Sequence, residues 1–271
     1  MDKGLHIIVL IKQVPDIEKV KFNVEEGRID RTSAPLETNP FDLNALEAAI
    51  QLKERIGGYV TVISMGPPQA ESSLRDALAR GADRAILLTD KLFAGADTLA
   101  TSYTLAAAIR KVGYFDLIIC GEKTVDGDTG QVGPEVAEHL NIPHVAYVCE
   151  IRSATLDKLL LVSDMGDRYL IEVKLPALIT VTKDINTPRL PTLRNVLKAK
   201  KATIEVWNAN DLAGYGELCR FGPQGSMTTV FRIVFPSEDT RKGLIFHGDD
   251  AVEKLVKVLR ERGVLRLEST D

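Results

Sequence analysis

Blocks of apolar residues recur along the first 150 residues in an order that predicts strands and helices in alternation. Short, nearly continuous apolar runs are typical of parallel strands buried on both faces, and apolar residues at every third or fourth position are typical of one helix face. The predicted strands are 5–11, 59–65, 84–88, 115–120 and 144–149, and the predicted helices begin near residues 39, 66, 97 and 134. Such alternation predicts right-handed crossovers and an α/β fold with a doubly wound, mostly parallel sheet of the adenine-nucleotide-binding, Rossmann-like type.

The pattern changes after residue 151. Two segments, 155–162 and 168–173, predict a β-hairpin that turns near 165–167 and extends the sheet. The apolar run 176–182 predicts one more buried strand.

Periodicity is lost from about residue 207, where several glycines lie close together. An amphipathic stretch over 252–259 then predicts a last helix that ends at Gly263. We therefore expect an α/β nucleotide-binding domain over residues 1–205 and a C-terminal arm over 206–271 that packs on a partner surface.

The composition is that of a soluble globular protein, with 271 residues, 45% apolar and 27% charged residues. A net charge of −4 gives no general attraction for nucleic acid, and the apolar runs fall far short of the ~18 residues of a membrane span. Lys12 interrupts the N-terminal apolar run, which favours a first strand over a signal sequence. Three widely spaced cysteines indicate a reducing, cytoplasmic location and no disulfide, zinc or iron–sulfur ligation.

A loop rich in glycine, residues 121–133, lies between a predicted buried strand and a predicted helix. Glycine lets backbone approach a ligand closely, and a helix N-terminus attracts phosphate through its unpaired amides. The loop has neither the Walker lysine nor the GxGxxG spacing, and it follows a late strand. A phosphate or adenosine site and a purely structural turn therefore both stay open.

Ligands of open α/β sheets lie beyond the carboxyl ends of the strands. This rule predicts that segments 10–14, 39–42, 65–66 and 93–98 meet the glycine loop there. Asn39 is a candidate both for capping a helix and for touching the ligand. Asp126 and Asp128 are candidates for ribose contacts or for capping the loop, and we expect phosphate contacts from backbone amides, Thr129 and Gln131.

Catalytic constellations are missing. The four histidines have no metal-ligand spacing, and no serine or cysteine lies in a nucleophile motif. We expect no catalytic or metal-binding residue, so the predicted protein is a carrier, a scaffold or the host of a cofactor that does the chemistry. A basic run, residues 194–201, is interpreted either as a solvated helix face or as a surface for an acidic partner.

Several motifs together resemble the beta subunit of electron-transfer flavoproteins. They are the segments 11–16 (IKQVPD), 39–41 (NPF), 64–70 (SMGPPQA), 81–84 (GADR), 126–133 (DGDTGQVG), 188–193 (PRLPTL) and 198–201 (KAKK). The hairpin departs from the family pattern, because Val162, Met165 and Tyr169 replace an arginine, an aspartate and a glutamate.

The glycine loop resembles that of the electron-bifurcating subgroup, in which FAD replaces the AMP of conventional members. Gly127 stands where conventional members have a carboxylate, which removes charge and bulk beside a diphosphate. The alternatives are a conventional beta subunit that holds structural AMP and a stand-alone adenine-nucleotide-binding module without a redox role.

The resemblance implies FAD as cofactor, with AMP as the alternative, and NADH as substrate. It also implies an alpha subunit, ferredoxin, and an acyl-CoA or related flavin dehydrogenase as partners, with the C-terminal arm wrapped around the alpha subunit. Dehydrogenase docking is expected at Thr192, Leu193, Arg194 and Lys198. The predicted cofactor-binding residues are Leu10, Lys12, Val14, Asn39, Asp42, Met65, Thr98, Gly121, Val125, Asp126, Gly127, Asp128, Thr129, Gly130, Gln131, Val132 and Gly133.

Overall fold

The structure, a computed structural model, describes residues 4–16, 21–23, 28–30, 35–229 and 243–265. The chain forms two compact units, residues 1–229 and residues 230–271. Two parts of the predicted arm, 230–242 and 266–271, lie outside the described residues.

The elements of the first unit alternate as the hydrophobic pattern predicts. Its strands are β1 (Leu5–Ile11), β2 (Gln13–Pro15), β3 (Lys21–Asn23), β4 (Arg28–Asp30), β5 (Leu36–Thr38), β6 (Gly58–Met65), β7 (Arg84–Leu88), β8 (Leu117–Gly121), β9 (His144–Ala154), β10 (Lys158–Asp164), β11 (Arg168–Lys174), β12 (Ala177–Val181) and β13 (Glu205–Trp207). Its helices are α1 (Pro40–Ile56), α2 (Glu71–Arg80), α3 (Thr98–Val112), α4 (Val132–Leu140), α5 (Leu193–Lys201), α6 (Ala209–Leu212) and α7 (Gly222–Gly225).

A nine-stranded sheet organises the first unit, in the order β11-β10-β9-β12-β8-β1-β6-β7-β13. Every neighbouring pair from β9 to β13 in this order is parallel, whereas β10 pairs antiparallel with both β9 and β11. The predicted α/β class, the mostly parallel sheet and the hairpin extension are therefore confirmed.

Two helix layers cover the sheet, one on each face. In β1, Ile7 and Val9 join the core formed with α1 and α2, whereas Ile8 and Leu10 join the core formed with α3 and α4. Because both faces of β1 are buried, its sequence is continuously apolar from Ile7 to Ile11 rather than alternating. Within the ranges that the structure describes, none of the helices is both long enough and apolar enough to cross a membrane.

The segment after residue 205 packs on the first unit up to Thr229, which differs from the domain boundary expected from the sequence. Strand β13 extends the sheet beside β7, and Trp207 is buried beneath the Lys111 ammonium, 4.3 Å from its ring centroid. Leu212 and Phe221 are also buried in this core. These three apolar residues lie in a glycine-rich segment and give no periodic signal. The periodic hydrophobic pattern of the sequence therefore does not extend to them.

The second unit contains α8 (Ala251–Glu261) among its described residues. Gly263 follows in the left-handed region, at φ 71°, where glycine has no steric cost. The predicted last helix and its glycine end are confirmed.

Gly133 is required by close packing between α4 and the sheet. A Cβ added there would lie 2.7 Å from Thr180 Cγ2 and 2.9 Å from Cys120 Sγ, which is closer than carbon and sulfur atoms can pack. We predict that Gly133→Ala lowers the free energy of unfolding by about 1–3 kcal/mol, the usual cost of overpacking a core. Urea unfolding measures this loss.

Gly214→Ala is the matched control, because a Cβ at Gly214 would have no atom within 4 Å. Equal stability of the Gly133 and Gly214 variants would contradict the packing role of Gly133.

Candidate functional site

The site lies where the direction of the chain crossovers reverses. Strands β1 and β8 are neighbours, but the chain leaves β1 through α1 toward β6 and leaves β8 through α4 toward β9, on the other side. Helices α1 and α4 cover opposite faces of the sheet. A crevice therefore opens beyond the carboxyl ends of β1 and β8, which is the usual ligand position in this class of sheet.

Asp42, in the first turn of α1, holds the two sides of this crevice together. Its Oδ2 accepts from the backbone N–H of Lys12 at 2.8 Å, and its Oδ1 accepts from that of Gly121 at 3.1 Å. The side chain is buried, and burial raises its pKa to about 7 although these hydrogen bonds oppose the shift. One carboxylate thus fixes the end of β1 to the start of the glycine loop.

Asn39, immediately before α1, also holds the glycine loop. Its side-chain amide donates to the Lys123 carbonyl at 2.9 Å and accepts from the Val125 N–H at 3.2 Å. Asn39 occupies the predicted N-cap position of α1, but its side chain makes no cap bond to this helix. Its backbone carbonyl starts the helix instead, since it accepts from the N–H groups of Asp42 and Leu43. A ligand contact of Asn39 stays a prediction.

Two ion pairs neutralise Asp126 and Asp128, two of the three acidic residues of the loop. Lys12 Nζ, at the end of β1, lies 2.7 and 2.9 Å from the carboxylate oxygens of Asp126 and so spans the crevice. Burial raises the pKa of Asp126, but the hydrogen bonds and charge of Lys12 outweigh it and lower the pKa overall. Lys123 pairs with Asp128 at 2.8 Å. Both aspartates of the loop are therefore paired with lysines, and Glu122, whose pKa is raised by burial, is the remaining acidic residue of the loop.

The far end of the loop is tied to α3. The Thr98 hydroxyl lies 3.2 Å from Gln131 Oε1 and 3.1 Å from Glu135 Oε1. Gln131 occupies the N-cap position of α4 but forms no side-chain cap bond, so side-chain capping does not occupy the first amides of this helix. Gly130, at φ 64°, turns the chain into this helix. The arrangement can accept an anion at the N-terminus of α4.

Some of the predicted binding residues take no part in the hydrogen bonds described above. Leu10 and Val14 are buried, Met65 is half-buried at the end of β6, and Thr129 is exposed in the loop. Contacts of these residues with a cofactor, like those of the whole predicted set, stay predictions. Three further members are placed by the structure: Gly127 is exposed, Val132 packs partly buried against the core, and Gly133 faces the sheet.

A cavity of about 400 Å³ adjoins the glycine loop on the side of β9 and β12. Tyr147, in its wall, has φ 54°, which is uncommon for an aromatic residue, and its hydroxyl points toward Gly130. Acidic and basic side chains balance in the lining, which comprises Phe41, Glu122, Lys123, Tyr147, Cys149, Asp164, Arg168, Thr182, Lys183 and Asp184.

The sequence interpretation missed this lining, although part of it carried a signal. Residues 182–184 follow the carboxyl end of β12, so the rule that placed the other segments at this edge also applies to them. Tyr147 and Arg168 have no local signal, because the pairing of β9 with β12 and β10, and of β10 with β11, brings them there.

The raised pKa of Asp42 predicts a pH dependence of stability. The folded protein binds this proton more tightly than the unfolded chain, whose carboxyl has its ordinary pKa near 3.8. Ionised Asp42 therefore costs stability increasingly from about pH 4 to about pH 7, and the cost is constant above that range.

We predict that Asp42→Asn removes this pH-dependent part. Between pH 4 and pH 8, the unfolding free energy of the variant should rise relative to wild type by up to about 4 kcal/mol, as measured by urea unfolding at each pH. Since other groups titrate equally in both proteins, parallel pH profiles would show that Asp42 does not carry the shift.

Comparison with known proteins gives one consistent family. Residues 27–212 match the electron transfer flavoprotein domain. The chain is 46% identical over 266 residues to the electron transfer flavoprotein subunit beta of Thermoanaerobacterium thermosaccharolyticum, covering 96% of this chain and 100% of that protein. It is 41% identical to Protein FixA of Bradyrhizobium diazoefficiens, with 94% and 91% covered, respectively. It is 44% identical to the caffeyl-CoA reductase-Etf complex subunit CarD of Acetobacterium woodii, with 86% and 88% covered, respectively.

These matches run across the sheet, the crevice and the glycine loop, and they extend over nearly the full length of the relatives. They agree with the motifs in segments 11–16, 39–41 and 126–133. The chain therefore belongs to the family of electron transfer flavoprotein beta subunits.

Proposed function

We propose that this beta subunit binds a complete FAD at the crevice between β1 and β8, and that it serves an electron-bifurcating complex. Members of the family bind flavin or AMP and pair with an alpha subunit. The identity of the cofactor, the use of NADH and the bifurcation are the parts that we propose for this chain.

The pairing of both aspartates of the glycine loop with lysines carries the proposal. An FAD diphosphate has two negative charges, and it binds poorly beside unpaired carboxylates. Here Lys12 and Lys123 balance Asp126 and Asp128, so the amides at the start of α4 are left to attract the diphosphate. The residues present thus fit a dinucleotide.

The space beside the loop supports the larger of the two cofactors. The cavity begins at the loop itself, since Glu122 and Lys123 belong to its wall. Phe41 and Tyr147 offer aromatic surface there, and the acidic and basic residues of the lining balance. A ligand that fills both the crevice and this cavity is longer than AMP.

The isoalloxazine of a bound FAD would supply the redox chemistry, accepting hydride from NADH and sending electrons to ferredoxin and to the alpha-subunit FAD. The chain's own part is to hold the dinucleotide, to balance its charge and to present a surface to the acceptor. We propose that the acceptor is an acyl-CoA or related flavin dehydrogenase. This is in keeping with the name of the relative CarD, a subunit of a caffeyl-CoA reductase-Etf complex.

Docking of this dehydrogenase is proposed for the start of α5. Thr192 caps the helix, because its hydroxyl accepts from the Asn195 N–H at 3.2 Å, and Leu193 is 76% exposed. Arg194 and Lys198 are exposed beside it. We also propose that the C-terminal arm, residues 206–271, packs on the alpha subunit.

The nucleotides of the purified heterodimer test the proposal. We predict that denaturation releases two FAD molecules per heterodimer, identified by mass spectrometry. One FAD with one AMP would instead assign the conventional role, and an adenine nucleotide without flavin would indicate a binding module with no redox role.

The loop position is tested by Gly127→Asp, which returns a charge to the proposed diphosphate site. We predict that this variant retains less than half of the flavin of the beta subunit, because a new carboxylate repels the diphosphate. Flavin content after gel filtration measures the loss.

Gly127→Ala is the matched control. Gly127 has no left-handed φ, and a Cβ there would approach only Thr124 Oγ1, at 3.3 Å. The alanine variant should therefore keep its flavin. If the aspartate variant also keeps it, the diphosphate does not lie at this part of the loop.

A further inference from the structure

The chain between β12 and β13 is anchored at both ends and exposed in the middle. Leu190 is 85% exposed, Leu193 76% and Leu197 54%. We call these three residues the leucine ridge. Isolated exposed leucines are ordinary, but three of them on one anchored segment form a surface that can receive a partner.

Arg189 forms the first anchor, immediately before the ridge. Its guanidinium lies 2.8 and 3.0 Å from the carboxylate oxygens of Glu47, and 2.6 and 2.9 Å from those of Glu54. Its backbone N–H also donates to Glu47 at 3.1 Å, and its carbonyl accepts from Arg80 at 2.6 Å. Both carboxylates belong to α1, so one arginine ties the segment to that helix with two bidentate pairs.

Arg75 forms the second anchor, at the end of α5. Its Nη1 donates to the carbonyls of Ala199 at 2.9 Å, Lys200 at 3.2 Å and Ala202 at 3.3 Å. These carbonyls lie at the C-terminus of α5, where a helix runs out of its own amide donors, although that of Ala199 also accepts from the Ala202 N–H. Ala199 is also buried, so α5 cannot turn about its axis without losing this packing.

The ridge is surrounded by positive charge. Arg194, Lys198, Lys200 and Lys201 are all exposed, and within the described part of the chain none of them forms an ion pair. The complementary surface is an apolar hollow with carboxylates around its rim.

We propose that Arg189 is a positioning residue for partner docking, because its ion pairs with Glu47 and Glu54 hold the leucine ridge in a preformed position. The inference rests on the proposed docking of a flavin dehydrogenase at α5. A segment that is already ordered loses less conformational entropy when the partner binds, so the clamp increases affinity without touching the partner.

The variant Arg189→Lys separates the positioning effect of Arg189 from the effect of its charge. It keeps the positive charge but loses the planar fork that makes both bidentate pairs. In the purified heterodimer, we predict that Arg189→Lys speeds hydrogen–deuterium exchange of the α5 amides. We also predict that it raises the apparent KM about tenfold for an acyl-CoA dehydrogenase that the wild type reduces, since tenfold corresponds to loss of a single strong contact.

The kcat with saturating dehydrogenase and the reduction of an artificial dye by NADH should stay within about twofold, because the clamp touches no part of the proposed cofactor site. Glu54→Gln removes only the more exposed pair and should raise the apparent KM by a smaller factor, about threefold. This milder variant keeps the test valid if Arg189→Lys folds poorly.

Arg84→Lys is the matched control. Arg84 also makes a bidentate pair, with Glu205 at 2.6 and 2.8 Å, but it forms no hydrogen bond or ion pair with residues 186–202. An equal rise in KM for this control would mean that the effect is general destabilisation and would overturn the inference.

Leu193→Ala distinguishes failure of the clamp from failure of the docking site. If Leu193→Ala raises the apparent KM and Arg189→Lys does not, the ridge docks the partner but the clamp is not needed, and the inference is wrong. If neither variant changes the KM, the proposed docking surface itself is wrong.

Discussion

The buried carboxylate of Asp42 is the interaction on which the site depends. It binds the backbone at the end of β1 and at the start of the glycine loop, two segments that the chain carries away in opposite directions. Strands β1 and β8 are themselves paired, and Asp42 extends this connection beyond their carboxyl ends to the segments that form the crevice. The same burial that makes these hydrogen bonds strong also makes the charge costly, which is why the pKa of Asp42 rises to about 7.

Helix α1 places both functional surfaces. Its N-cap residue Asn39 and its first-turn residue Asp42 hold the glycine loop, and Glu47 and Glu54 further along the helix hold the docking segment. Asn44 adds hydrogen bonds to Asn186 between these two regions. A single helix therefore fixes the positions of the proposed cofactor site and of the leucine ridge relative to each other.

The sequence predicted the sheet well because its central strands are continuously apolar, as in Ile7, Ile8 and Val9, and because Gly, Pro and Asn mark the helix ends. The sequence could predict that the glycine loop and Asp42 lie at the same edge of the sheet. It could not predict the ion pair of Lys12 with Asp126 or the role of the Asn39 side chain. Those contacts join residues that are more than 80 positions apart in the sequence, so no local pattern indicates them. Strand β13 and Tyr147 were missed for a similar reason, since distant strand pairing places them.

The central claim is that the crevice and its adjoining cavity together hold a dinucleotide. A crystal structure of the purified heterodimer tests this most directly. We predict continuous density from the crevice between β1 and β8, past the N-terminus of α4, to a tricyclic ring near the cavity lined by Phe41 and Tyr147. Density for a single adenylate in the crevice, with the cavity filled by solvent, would contradict the account.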